Sequence, residues 1–242
     1  MSATADPPEL ADAFGRALLD RVAGTADPIV IERDDGFVSV DTFDYLAGLD
    51  ERDEWALDQV RGRVLDVGAG AGRVSLALQE RGQEVLALDI SPGATAACRQ
   101  RGVHEAYTGS VRQAVADDLA GTFDSAVLLG NNLGLLGSPA GAIKLLDALG
   151  ELLGPDGVIV GTATDVYQTD KQVHLDYHER NRRRGRMAGH ITLRVRYQRI
   201  ATDWFSWLAM SPQELAGLAD EAGWQVTDML PGATYAVVLA RS

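Results

Sequence analysis

A short apolar run, Val64-Leu65-Asp66-Val67, breaks into Gly68-Ala69-Gly70-Ala71-Gly72 and then into an amphipathic stretch that begins at Arg73. Glycines at alternate positions permit positive φ and let a ligand come close to the backbone. The first N–H groups of the helix that follows have no partner within the helix and face the same place. The run therefore predicts a strand, a tight turn and a helix arranged as a nucleotide cradle, the opening unit of an α/β sheet. Asp66 stands two residues before the first glycine, where it would repel a pyrophosphate. The spacing also departs from the dinucleotide fingerprint, because Gly-x-Gly-x-x-Gly requires glycine where this chain has Arg73. Both features disfavour dinucleotide oxidoreduction.

The same grammar recurs downstream. Val85-Leu86-Ala87-Leu88-Asp89-Ile90 is a second apolar run ending in a carboxylate, at the distance one βα unit would place it. Asp89 can accept both hydroxyls of a ribose, while Ser91-Pro92 starts the next helix. Phe123 to Leu129 reads as a fourth strand that opens into Gly130-Asn131-Asn132, at the end of the sheet where open α/β folds bind ligands. Gly154-Pro155-Asp156-Gly157 and Val158 to Gly161 give a turn and a fifth strand. Ser211-Pro212-Gln213-Glu214 is a capped helix start, and Trp224 to Leu230 and Ala233 to Ala240 are two last strands joined by Pro231-Gly232.

Over residues 61–163 and 211–241 these motifs resemble the class I S-adenosylmethionine-dependent methyltransferases, whose first motif is an acidic residue followed by Gly-x-Gly-x-Gly. The resemblance implies a Rossmann-like α/β fold with a seven-stranded, mostly parallel sheet whose last strand is antiparallel. It implies S-adenosylmethionine as cofactor and S-adenosylhomocysteine as product. Asp66, Gly68, Ala69 and Gly70 would form the cradle, where a sulfonium-bearing ligand tolerates the carboxylate. Asp89 would take the ribose, with Ile90 beside it. Ser110 stands where the family usually has an acidic residue for the adenine amino group, and Val111 would pack on the ring. Asn131 would meet the methionine end, and Asn132 the acceptor.

Two segments lie outside the resemblance. Residues 1–60 carry Leu10, Phe14, Leu18 and Val22 at helical spacing, which predicts a helical cap; its later part offers Tyr45 to the pocket. Residues 164–210 are too long for a simple connection and predict a substrate lid containing strand structure. His190 to Tyr197 alternates as a strand would, and Asp203 to Leu208 pairs with it or joins an apolar lid. Tyr177, Arg194 and Trp204 are the substrate candidates there. His178, flanked by Tyr177 and Glu179, and His190 are the candidate bases, since histidine titrates near neutrality. Spacing such as His174-x-Asp176-x-His178 lacks the further ligand pair a metal would need. Displacement at a sulfonium methyl needs chiefly alignment of donor and acceptor, which can supply about 7 to 11 kcal/mol, so a neutral amine acceptor does not demand a base.

Composition narrows the partners. The formal charge of −13 disfavours nucleic acid, and no apolar stretch is long enough to cross a bilayer. One cysteine, Cys98, allows no internal disulfide. These features predict a cytoplasmic protein, and with the resemblance they imply a monomer or homodimer that transfers a methyl group to nitrogen or oxygen of a small molecule. Two alternatives keep the cofactor: a decarboxylase or cyclase on the same fold, and a non-catalytic homodimer joined through Trp204, Phe205 and Trp207.

Overall fold

The computed structural model describes residues 9–242. Its main sheet has seven strands in the spatial order Trp224–Leu230, Thr234–Arg241, Leu153–Thr164, Phe123–Leu128, Val64–Val67, Val85–Asp89, Glu105–Thr108. All are parallel except Thr234–Arg241, which runs antiparallel to both neighbours. This is the Rossmann-like sheet that the family resemblance implies, with the last strand antiparallel. The sequence reading begins the fifth strand after the Gly154-Pro155-Asp156-Gly157 turn. The strand instead starts at Leu153, and the four residues bulge within it: Phe123 pairs with Leu153, and Ser125 already pairs with Val158.

Four helices that flank the main sheet begin at a serine whose hydroxyl caps them, whereas helix Arg73–Glu80 starts from Gly72 with no side-chain cap. Ser91, Ser138 and Ser211 each precede a proline at the first helical position and accept a backbone N–H from three residues on, and Ser110 caps Val111–Ala116 reciprocally with Gln113. The strands are apolar on both faces because helices cover both. Leu65, Val67, Leu86, Leu88, Phe123 and Leu128 pack on one side with helices Val111–Ala116, Pro139–Leu152 and Pro212–Glu221. Val64, Val85 and Val127 pack on the other with Val74 and Leu78 of helix Arg73–Glu80 and Ala56 and Leu57 of helix Glu51–Asp58. Phe123 is fully buried in the larger cluster, where truncation to alanine would cost about 3 to 5 kcal/mol.

A second sheet lies above this frame, and it changes the reading of the N-terminal segment. Helix Ala13–Val22 is present as the periodicity requires, but residues 1–60 are not a purely helical cap. Strands Val30–Arg33 and Val38–Val40 form a hairpin, and Val30–Arg33 pairs antiparallel with His190–Tyr197 of the insertion. The hairpin signal was present: Asp34-Asp35-Gly36 sits between two short runs rich in Val, Ile and Phe, and Gly36 takes a φ of 87° at the turn. Phe205–Leu208 pairs antiparallel with the other edge of His190–Tyr197, which settles the two options left for that segment. Residues from both segments thus build one sheet, and helix Gln172–Arg183 abuts its edge. No helix among the described residues is long and apolar enough to cross a membrane.

Candidate functional site

The glycine turn lies at the carboxyl end of the Val64–Val67 strand, in the middle of the sheet. Gly68, Gly70 and Gly72 have φ of 72°, 57° and 76°, a region that side-chain-bearing residues seldom enter. The turn is held from all sides. Gly68 and Ala69 N–H groups donate to the Leu88 carbonyl, Gly72 N–H donates to the Ala69 carbonyl, and Arg101 Nη1 donates to the Ala71 carbonyl at 2.8 Å. Cys98 is buried, its Sγ 3.2 Å from the Gly70 carbonyl, and burial pushes its thiol up to about 12, so it serves as packing. At Gly72 a Cβ would meet Val103 at 2.5 Å, whereas at Gly70 it would meet only Leu18, at 3.9 Å. Gly72 is therefore a glycine for packing, and Gly70 faces open space.

Asp89 ends the next strand, almost wholly buried. Its Oδ2 accepts from Gly70 N–H at 3.0 Å and its Oδ1 from Ser91 N–H at 2.9 Å. A carboxylate has roughly four acceptor positions, so each oxygen retains capacity for a ligand hydroxyl. Burial raises its pKa to about 6 against the pull of those two donors. Asp66 is different. Its carboxylate turns beneath the turn, accepts from Ser75 Oγ at 2.6 Å, and is raised to about 6 by burial. It anchors the start of helix Arg73–Glu80 and supports the cradle from below.

The remaining cradle candidates separate in the same way. Ile90 is 74% exposed beside Asp89, an open apolar surface at the carboxyl edge. Ser110 Oγ accepts from Gln113 N–H, so its hydroxyl is engaged as a helix cap, and Val111 is buried in the main core. Val111 is the first residue of that helix, directly after Ser110. Asn131 takes a φ of 71°, its N–H donates to Thr162 Oγ1 at 2.8 Å, and its Oδ1 accepts from Thr164 Oγ1 at 3.1 Å. Asn132 turns back to the cradle, where Nδ2 donates to the Gly68 carbonyl at 2.8 Å and the Val67 carbonyl at 3.2 Å. It holds the turn, in place of the expected contact with an acceptor.

The N-terminal segment closes one side. Phe43 stands 3.6 Å from where a Cβ on Gly130 would lie, and its ring packs edge-on against Tyr45 at 4.9 Å. Tyr45 packs edge-on against Phe14 at 5.2 Å and donates to Asp41; burial and that carboxylate hold its phenol well above the usual range. Helix Ala13–Val22 crosses helix Pro92–Arg101 at Gly15 and Gly93. Asp12 there accepts from Gly15 N–H, Ser91 Oγ and Gly93 N–H at 2.8 to 2.9 Å. The cap is thereby fixed two residues from Asp89.

The lid sheet presents alternate residues to its two faces. Ile31, Val195, Tyr197 and Phe205 pack with Ala13, Ala17, Phe14 and Tyr45. Trp207, on the face of Phe205, lies so close to Gly134 that any Cβ there would overlap its indole. Arg194 and Trp204 take the opposite face. Arg194 Nε donates to Glu32 Oε2 at 2.9 Å, Arg196 shares the same oxygen at 3.3 Å, and the Arg194 guanidinium stacks 4.6 Å from the Trp204 ring. His190, on that face too, meets Ser206 Oγ at 3.2 Å. Arg194, Trp204 and His190 thus stand on the face opposite the one that packs against Phe14 and Tyr45; alternation in a strand shows that two faces exist, and only the packing partners tell them apart.

Tyr177 and His178 lie on helix Gln172–Arg183. Tyr177 Oη donates to Asp34 Oδ1 at 2.7 Å and accepts from Thr192 N–H at 3.1 Å, while Arg33 stacks on its ring at 4.1 Å. It is a strut between helix and sheet. His178 is buried, and burial together with Arg182 lowers its pKa. The charges that act on it are Arg182, His174, Arg33 and Glu214, none of them at the glycine turn. Leu135 lies against Gly68, Phe43 against Gly130 and Trp207 against Gly134. Nothing local in the sequence distinguished these apolar residues from core.

A family model described as a methyltransferase domain matches residues 41–228. The chain belongs to the class I S-adenosylmethionine-dependent methyltransferases. Within this family it is similar to a methyltransferase from Bacteroides fragilis solved with S-adenosylhomocysteine: 28% identity, TM-score 0.79, with 96% of this chain and 95% of that chain covered. It is 33% identical over 138 residues to the glycine/sarcosine/dimethylglycine N-methyltransferase of Actinopolyspora halophila, a match that takes in 52% of this chain and 24% of that longer protein. The CcbJ methyltransferase of Streptomyces caelestis shares the fold, with TM-score 0.64 at 15% identity over 95% of this chain and 98% of that one.

Proposed function

We propose that this methyltransferase transfers the methyl group of S-adenosylmethionine to a small-molecule acceptor, with an amine nitrogen favoured over a hydroxyl oxygen. The observation that carries the reading is the roof. Phe43 over Gly130 and Trp207 over Gly134 bring both added segments down onto the carboxyl edge of the strand that ends near Asn131. Aromatic side chains that cover this edge favour a small molecule over an extended polymer as the acceptor. The curated relative named for glycine, sarcosine and dimethylglycine acts at nitrogen, which supports the choice of acceptor.

The residues fit the cofactor. Gly68, Ala69 and Gly70 offer backbone at close range, Gly70 beside open space. Asp89 keeps acceptor capacity for two ribose hydroxyls, Ile90 offers an apolar face to the base, and Ser110 marks the adenine end. Asp66 contributes by holding helix Arg73–Glu80 in place. Bound there, the cofactor supplies an electrophilic methyl group. The chain contributes alignment and exclusion of water: Asn132 fixes the cradle, and Thr164 orients the Asn131 amide by donating to its oxygen, which leaves the Nδ2 protons for a ligand. A neutral amine can attack without a base and lose its proton afterwards to water, so the proposal uses neither His178 nor His190.

The test is incubation with S-adenosylmethionine and a panel of glycine, sarcosine, dimethylglycine and small hydroxylated acceptors, read by product mass. A gain of one methyl group on an amine supports the proposal. Cofactor consumption with loss of carbon dioxide, or without a methylated product, would assign a different chemistry.

A further inference from the structure

Arg73 is the residue that breaks the dinucleotide fingerprint, and its surroundings give it a task. Its side chain is 10% exposed, and it pairs with Asp53, itself 8% exposed. Both of its hydrogen bonds leave from Nη1, one to Asp53 Oδ2 and a long one of 3.4 Å to the Gly48 carbonyl. The Asp53 oxygen is already shared with the Asp50 N–H. Nη2 makes no hydrogen bond among the described residues, and it lies 3.8 Å from where a Cβ on Gly130 would be. Phe43 covers the guanidinium, its ring 5.4 Å from Cζ. A buried arginine thus keeps two free N–H donors aimed at the carboxyl end of the Phe123–Leu128 strand.

The strand order says which end of the cofactor arrives there. Across the sheet the ends run from Ser110, through Asp89, through the glycine turn, to Gly130 and Asn131. On the reading of the preceding section, which this inference deepens, the ribose sits on Asp89 and the adenine toward Ser110. The other arm of the ligand must then pass over the glycine turn toward Gly130. That arm ends in an amino acid, whose carboxylate requires a cation or several donors when it leaves water. Arg101, the other arginine at the turn, is committed to the Ala71 carbonyl.

We propose that Arg73 receives the carboxylate of the methionine end through Nη2, with Gly130 leaving room for the approach and Phe43 shielding the pair from water. The competing role is a plain latch, in which Arg73 does nothing beyond tying helix Glu51–Asp58 to the turn through Asp53.

Two ligands separate these roles, because 5′-methylthioadenosine keeps the nucleoside and sulfur of S-adenosylhomocysteine but has no amino-acid end. Binding of both to wild type, Arg73→Lys, Arg73→Gln and Asp53→Asn is measured by calorimetry, with thermal unfolding run on each variant. The expected result is that Arg73→Gln weakens S-adenosylhomocysteine by about tenfold or more and leaves 5′-methylthioadenosine within twofold of wild type, with Arg73→Lys retaining part of the discrimination. An equal loss for both ligands in Arg73→Gln, or no loss for either, overturns the proposal. If Arg73→Gln does not fold, Arg73→Lys and Asp53→Asn decide: selective weakening of S-adenosylhomocysteine in Arg73→Lys alone supports the carboxylate contact, and parallel losses for both ligands in both variants overturn it. Failure of wild type to bind either ligand would strike the cofactor reading itself, which is a different outcome.

Discussion

The crossing of helix Ala13–Val22 over helix Pro92–Arg101 is closed by two glycines, and Gly93→Ala tests what that closure does. A Cβ at Gly93 would stand 2.5 to 2.8 Å from the Gly15 carbonyl carbon, Cα and carbonyl oxygen, all backbone atoms that cannot rotate aside. Relief requires the cap helix to retreat by about 1 Å, an overpacking cost of about 1 to 3 kcal/mol. The same movement stretches the bonds that Asp12 accepts from Ser91 Oγ and Gly93 N–H, at 2.8 and 2.9 Å. Bonds to a charged acceptor are worth about 1.5 to 3 kcal/mol each, reduced here because water can reach the half-buried carboxylate. A total near 3 kcal/mol lowers the melting temperature of a chain this size by about 6 to 12 °C. Gly217→Ala is the counterpart: it lies in helix Pro212–Glu221 with no atom within 4 Å of a new Cβ, and should gain about 1 kcal/mol from helix propensity. Thermal unfolding of the two variants, each with and without S-adenosylhomocysteine, is the assay. Gly93→Ala should also bind the ligand more weakly, because Leu18 of the cap helix borders Gly70. Equal melting of Gly93→Ala and wild type would refute the argument that this crossing fixes the cap.

Other consequences can be checked with the same protein. Asp89 is raised by burial to about 6 and accepts ligand hydroxyls best when ionised, so affinity for S-adenosylhomocysteine should hold above that pH and fall as pH drops through it, with Asp89→Ala weak at every pH in a calorimetric series. Asp66 is raised in the fold above its ordinary 3.8, so its contribution to folding is full below that value and lost as pH rises through about 6. The amount is at most about 3 kcal/mol, and in Asp66→Asn the ligand-free melting temperature should change less between pH 5 and pH 7.5 than in wild type. Asn132→Ala should weaken S-adenosylhomocysteine by about tenfold, as two backbone carbonyls of the cradle lose their donor; unchanged affinity would show that the turn holds itself. The charge of −13 opposes compaction, so moving from 0.05 to 1 M sodium chloride should raise the melting temperature, and a flat response would show that the repulsion is already compensated locally.

The main sheet was legible because its signals are local. Apolar runs ended in glycine or a carboxylate at βα spacing, and serine–proline pairs marked helix starts, so most strands could be placed along the chain, and the family resemblance implied the sheet they form. The cradle was legible for the same reason: Gly68, Gly70 and Asp89 lie within one unit of sequence and meet in space. The lid was not. Its sheet joins Val30–Arg33 to His190–Tyr197 across more than half of the chain, and no local pattern says which strand face turns inward. Arg194 and Trp204 drew attention by their chemistry and proved to be satisfied by Glu32 and by each other. Phe43 drew none and Trp207 was read only as a possible dimer contact, because their importance lies in contact with Gly130 and Gly134, residues whose lack of a side chain matters only once the fold brings an aromatic ring against them. Asn132 shows a third case: an amide at the expected edge of the sheet, turned toward the cradle because two carbonyls there needed a donor.

Methyl transfer by this protein requires a pocket for S-adenosylmethionine at the glycine turn. Calorimetric titration of the purified protein with S-adenosylmethionine, S-adenosylhomocysteine and NAD, repeated with Asp89→Ala, tests that most directly. Micromolar binding of both sulfur ligands, lost in the variant, with no heat from NAD, is the predicted result. Binding of NAD alone, or binding of the sulfur ligands undiminished in Asp89→Ala, would contradict it.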